Sequence, residues 1–241
     1  MTEEDREIEQ YLSDAIMGRP QGFSIGERHF SLYPLTLGKM QILQRQIESL
    51  DINQQTLQEN VSVEALRLAE EKQDVCLTII AYHTCKNADE VFDNILVSER
   101  KALFKKEMSN EEIASLMLIV LSSDKTALFF KHLGIDKEQE RMNTVMRIKN
   151  KGDKNNITFG GKSIYGTLID AACERYGWTK EYVVWGIDFT SLRLMLADKV
   201  NSIYLTDEEA KKVPASVKNP RVETIKATKE NMEDIKKMDW H

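Results

Sequence analysis

The residues of this 241-residue chain that could do chemistry are three cysteines, four histidines, several paired carboxylates and one Gly-Gly-Lys-Ser run. Cys76, His83 and Cys85 lie close in sequence, and the first two, seven apart, share a face if the segment is helical. A metal centre would need Cys85 on that face too, or a CxxC or HExxH spacing, and neither is present. Buried helical cysteines beside a packed histidine are the simpler reading. Nucleophilic catalysis has no GxSxG to build on, and a Cys–His pair could arise only where folding brought His29, His83, His132 or His241 to a thiol. Phe159-Gly160-Gly161-Lys162-Ser163 lacks the first glycine of a phosphate loop and the buried strand before it, so it reads as a turn with Ser163 as helix cap. Glu70-Glu71, Glu111-Glu112 and Glu208-Glu209 fall near helix starts or on exposed faces, where the helix dipole accounts for them. Arg147, Lys149, Lys151 and Lys154 could contact phosphates, but Glu138, Glu140 and Asp153 dilute the cluster. No enzyme, cofactor or metal centre is expected from these patterns.

The elements that must position these residues follow from composition. Hydrophobic residues at 41% beside 30% charged suit a folded chain. A net charge of −6 supplies no global field for nucleic acid, so nucleic-acid binding is not expected. Eleven glycines and four prolines favour long helices over a many-turned sandwich. The cysteines are too few and odd in number for a disulfide framework, the N-terminus has no signal-peptide core, and the apolar run Ile113–Leu121 is too short to span a bilayer. A cytoplasmic, non-membrane location is the expectation.

Apolar spacing predicts a helix over 3–17, broken by Gly18, Pro20 and Gly22. Alternation in Phe23-Ser24-Ile25 and Phe30-Ser31-Leu32 around Gly26-Glu27 predicts a hairpin. Thr36 caps a predicted helix over 37–50 with Leu37, Met40, Leu43 and Ile47 inward. Residues 51–61 read as loop or frayed helix, and 62–85 as one long helix. Further helices are expected over 88–106, 110–122 (capped at Ser109), 125–133 (Asp124 to Gly134), 136–150, 163–176, 180–186 and 190–204, with Thr206 capping one more turn. The fold class is therefore mainly α, a multi-helix bundle with a small N-terminal β-hairpin. Polar residues 150–156 suggest a linker between a domain over 1–150 and a helical subdomain over 157–213, and 214–241 reads as a flexible tail, with a detached helix near 228–238 as the alternative.

Two segments carry more than generic helix signals. Phe23 to Leu43 runs from the hairpin into Tyr33-Pro34-Leu35-Thr36-Leu37-Gly38-Lys39, and Ala172 to Lys199 holds Tyr176-Gly177-Trp178-Thr179, Tyr182-Val183 and a Leu-Met-Leu-rich helix. Together they resemble the tail assembly chaperones of long-tailed bacteriophages. The resemblance implies a protein that coats the helical tape-measure protein and keeps it soluble until the tail tube forms around it, acting in the host cytoplasm without an active site. Self-association and a frameshifted longer form are within what it allows. Met40, Met117, Met142, Met146, Tyr176, Trp178 and Trp185 are the partner-binding candidates, since thioethers and aromatic rings suit an adaptable surface, although core packing is the competing role for most of them. A structural virion component, such as a connector or scaffold subunit, and a nucleic-acid-binding regulator are the alternatives.

Overall fold

In the computed structural model, which describes residues 2–152, 161–198, 200 and 202–218, local sequence signals set most helix ends. Helix α1 (Glu3–Ile16) starts at Thr2, whose side chain accepts from Asp5 N while the Asp5 carboxylate accepts from Thr2 N, a capping box. Strands β1 (Gln21–Ile25) and β2 (Arg28–Leu32) pair antiparallel, Phe23 opposite Phe30. Gly26 turns the chain with φ +57°, the left-handed conformation a two-residue hairpin loop starting with glycine requires. Two strands cannot hold themselves together in water. The hairpin is held by its inner face: Phe23 and Phe30 stack at 5.6 Å, and Phe30 meets the fully buried Phe104 edge-on at 5.0 Å.

Thr36 caps α2 (Leu37–Ser49), with Leu37 and Leu43 buried as expected, while Ile47, predicted inward, is exposed. The polar stretch after it forms α3 (Gln54–Glu59), and the predicted long helix is two, α4 (Val61–Glu71) and α5 (Gln73–His83), broken at Lys72. Asn53 and Asn60 cap α3 and α4. Glu64 is fully buried and still charged, because Arg67 reaches it at 2.6 Å and Asn53 N donates to it at 2.8 Å. The same Arg67 donates to the Asp51 carbonyl, so one guanidinium fastens the loop before α3 to α4.

The helix expected over 88–106 is also two, α6 (Ala88–Phe92) and α7 (Asn94–Glu107). Asp93 breaks it by turning to ψ 90° and accepting from Ile95 N and Leu96 N as the cap of α7. Helix α8 (Asn110–Leu121) has the predicted Ser109–Glu112 capping box. Helix α9 (Thr126–Leu133) follows, its N-terminus held by Asp124, and Gly134 ends it in the left-handed conformation. The stretch Asn110–Leu133 is long and apolar enough, by length and composition, to cross a membrane. The chain nevertheless leaves helical geometry between Ser123 and Lys125, where Asp124 pairs with Arg193, and Ile113, Leu116, Met117 and Phe129 are buried.

Two compact units divide the chain differently from the expected boundaries: residues 1–135 with 159–199 make one, and 136–158 with 200–241 the other. The first unit therefore takes in most of the expected C-terminal subdomain. There a π-helical segment, Tyr165–Ile169, runs into α11 (Asp170–Tyr176), which Gly177 ends at φ +64°. A second π-helical segment, Tyr182–Gly186, and α12 (Phe189–Ala197) follow. The main core of this unit lies where α4 packs along α8 and α5 along α2 and α7, with Leu68, Cys76, Leu77, Ile80, Phe104 and Ile113 fully buried. Among the described residues of the second unit, α10 (Ile135–Gly152, from Asp136 onward) runs into the expected linker. Arg141 Nη1 there donates to both Glu138 carboxylate oxygens, at 2.8 and 3.0 Å, and Arg141 Nε donates to the Val217 carbonyl in α14 (Ala215–Lys218). Thr206 caps α13 (Asp207–Lys212) through a box with Glu209. Residues 153–156 of the linker and 219–241 of the tail, with the helix considered near 228–238, lie outside the described residues.

Candidate functional site

Of the residues that could do chemistry, His83 and Cys85 come to rest near Lys39. Cys76 Sγ faces the Leu68 carbonyl at 3.4 Å, and burial pushes its thiol up to about 11. Cys85 Sγ faces the carbonyls of Ala81 and Glu90, and Arg100 Nη1 donates to it at 3.7 Å. Burial raises the Cys85 thiol too, against the opposing charges of Arg100 and Lys39. His83 is buried, and desolvation with the nearby Lys39 charge drives its imidazole down to about 4, so it is uncharged at neutral pH. Both buried thiols stay protonated there, and thiolate is the form that attacks carbon or binds metal. Among the described residues no group of three His, Cys, Asp or Glu side chains is placed to hold a metal ion.

Lys39 itself escaped the sequence reading. Its residue is 2% exposed and its Nζ makes no hydrogen bond among the described residues. The nearest stabilising feature is the Tyr33 ring, 5.6 Å from Nζ. Burial lowers its ammonium to about 8, with Cys85 and Glu90 opposing the fall. Glu90 is itself engaged by Arg100 at 3.0 Å. It is a desolvated charge inside the fold.

The two sequence segments singled out above meet beside it. Phe189 N donates to the Leu35 carbonyl at 2.8 Å, and Thr36 and Asp188 form an isolated antiparallel bridge. Leu37 joins Ile169, Ala172, Val183, Ile187 and Leu192 in one buried cluster. Gly38 lets the Trp185 ring lie on the α2 backbone: a Cβ there would sit 2.6 Å from three ring atoms. Gly186 does the same for Tyr182, whose ring occupies the space a Cβ would need.

An aromatic surface leads outward from this seam. Tyr176 stacks on Trp178 at 4.6 Å and donates its hydroxyl to the Met195 carbonyl at 2.8 Å. Trp178 meets Tyr182 edge-on at 5.1 Å. Tyr182 and Trp185 belong to the same π-helical turn, a geometry found often at functional positions. Trp185 is half-buried, and its outer edge meets Phe92 at 5.3 Å. Phe92 is 63% exposed and Ile95, the second residue of α7, is 72% exposed.

Of the partner-binding candidates, Tyr176, Trp178 and Trp185 thus fall along this path. Met40 is half-buried on α2. Met117 is fully buried in the main core and faces no partner in this conformation. Met142 and Met146 lie on α10 in the second unit, Met142 half-buried and Met146 exposed. Phe92, Ile95 and Tyr182 were missed. Phe92 and Ile95 would have been suspect had the Asp93 cap been read as a helix break, since both then fall outside the inward stripes. The basic cluster is described only at Arg147 and Lys149, both on α10; the Lys151 side chain and Lys154 lie outside the described residues, as does Gly160 of the Gly-Gly-Lys-Ser run. Comparison with protein-family models, with curated proteins and with solved structures finds no match to this chain.

Proposed function

We propose that this chain is a tail-assembly-chaperone-like protein that binds a helical partner and keeps it soluble. The observation that carries this reading is exposed Phe92 meeting Trp185 edge-on, at the seam of the two segments that resemble the chaperone family, with exposed Ile95 three residues on. Large apolar side chains that stand in water next to a rigid aromatic base are the usual make-up of a docking face. Trp185 is fixed by its seat on Gly38, so little side-chain entropy is lost there when a partner covers it. An amphipathic helix is the natural occupant, since its apolar stripe repeats every three to four residues and can lie along such a row. The proposed job asks for no reacting group, in keeping with protonated thiols and an uncharged His83.

Co-expression with the tape-measure protein of the same genome tests it. The expected result is co-purification and a larger soluble fraction of the partner. Absence of both overturns the reading. Finding the chain as a stoichiometric component of purified particles would instead make it a structural virion subunit.

A further inference from the structure

The rim around the exposed apolar pair gives the partner a charge. Asp89, Asp93 and Glu99 are exposed on α6, at the break and on α7, flanking Phe92 and Ile95 in sequence. Asp93 keeps its carboxylate at the surface while capping α7. Asp89 and Glu99 make no ion pair among the described residues, and Glu90 is already matched by Arg100. On the α7 face, Glu99 lies one helical turn from Ile95, where a ligand covering Ile95 must pass it. Glu181 precedes Tyr182 and is exposed, as is its neighbour Lys180, so this end of the face carries no net charge. Arg100 and Lys86 are the basic residues nearest in sequence; Arg100 and its neighbour Lys101 are engaged by Glu90 and Asp74, and Lys86 stands beyond the far end of α6 from Ile95. The face is an apolar centre with a mainly acidic rim.

We infer that this face takes an amphipathic helix whose apolar stripe covers Phe92, Ile95 and the edge of Trp185 and whose flanks carry lysine or arginine. The inference rests on the function proposed above and adds the partner's charge to it. An acidic flank would meet three carboxylates at short range, and like charges at a rim suppress a wrong partner. A basic flank is drawn in faster and held in register, an advantage that salt screens because the rim is solvated.

Two fluorescein-labelled synthetic helical peptides with the same leucine stripe, one otherwise lysine and one otherwise glutamate, test this with the full chain by fluorescence anisotropy. The lysine peptide is expected to bind about tenfold or more tightly than the glutamate peptide at low salt, with the gap narrowing as salt is added. Phe92→Ser with Ile95→Ser should weaken it by about tenfold. Asp89→Lys with Glu99→Lys should reverse the preference. All four substituted positions are exposed, and far-UV circular dichroism checks that each variant folds. Equal binding of both peptides, lost in the Phe92/Ile95 variant, overturns the charge inference and leaves the docking face standing. Lysine-peptide binding untouched by that variant overturns the location. A wild-type chain that self-associates in sedimentation while the Phe92/Ile95 variant is monomeric places a second copy on the face and overturns the inference.

Discussion

Replacing Lys39 by methionine should make the protein more stable at neutral pH, and the gain should vanish as the solution becomes alkaline. The ammonium is buried without a hydrogen bond, and its folded pKa is about 8 against 10.5 in an unfolded chain. A base whose folded pKa is lowered binds fewer protons folded than unfolded between those two values, so stability rises with pH across that window. Below about pH 8 the whole penalty is present. At about 1.4 kcal/mol per pH unit, the gap of about 2.5 corresponds to roughly 3 kcal/mol at pH 7. Methionine keeps an unbranched, largely apolar stem and removes the charge, so most of that penalty should be recovered. Urea unfolding of both proteins at pH 7, 8, 9 and 10 measures it. Other groups that titrate in this range, the buried thiols among them, are common to both proteins and largely cancel in the difference. The expected difference is about 3 kcal/mol in favour of Lys39→Met at pH 7, falling towards zero near pH 10.5. A variant less stable than wild type at pH 7, or a difference that does not change with pH, refutes the reasoning and means that the ammonium has a partner worth more than its desolvation costs.

Gly38→Ala should unseat Trp185, because the new methyl would stand 2.6 Å from the ring. The expected cost is about 1–3 kcal/mol in urea unfolding, with a red-shifted tryptophan emission as the ring moves into water. Unchanged emission would mean that the ring does not rest on α2. Iodoacetamide at neutral pH should alkylate Cys173, which is half-buried, well before Cys76 and Cys85, which are buried and protonated. Peptide mass spectrometry after a timed pulse reads this, and early labelling of Cys85 would contradict the placement of its thiol.

Several helix ends were legible in the sequence from the residue that terminates the hydrogen-bond ladder. Thr36, Ser109 and Thr206 cap, and Gly134 and Gly177 stop, where their chemistry says they should. The breaks at Lys72 and Asp93 were not: Lys72 makes no side-chain cap, and Asp93, although it caps α7, is a residue that a helix interior also tolerates. The π-helical turns were equally hidden: no residue type demands an i→i+5 bond, and the Tyr182 turn exists because Gly186 leaves room for a ring. Lys39 stood in the sequence only as the end of the Tyr33–Lys39 run, and its burial depends on packing that the run does not encode. The aromatic half of the candidate surface was named from sequence through Tyr176, Trp178 and Trp185. Phe92 and Ile95 were not, since apolar residues in a helical stretch look like core until the helix is known to end between them.

The main-chain bond between Leu35 and Phe189 has a consequence for synthesis on the ribosome. The hairpin and α2 leave the exit tunnel with Leu37 bare and Gly38 open, and their cover follows about 150 residues after Leu35, a long-range closure that slows folding. During that interval the apolar side of α2 is itself a surface in need of shelter. A protein proposed to shield another's helices thus begins its own existence as a client.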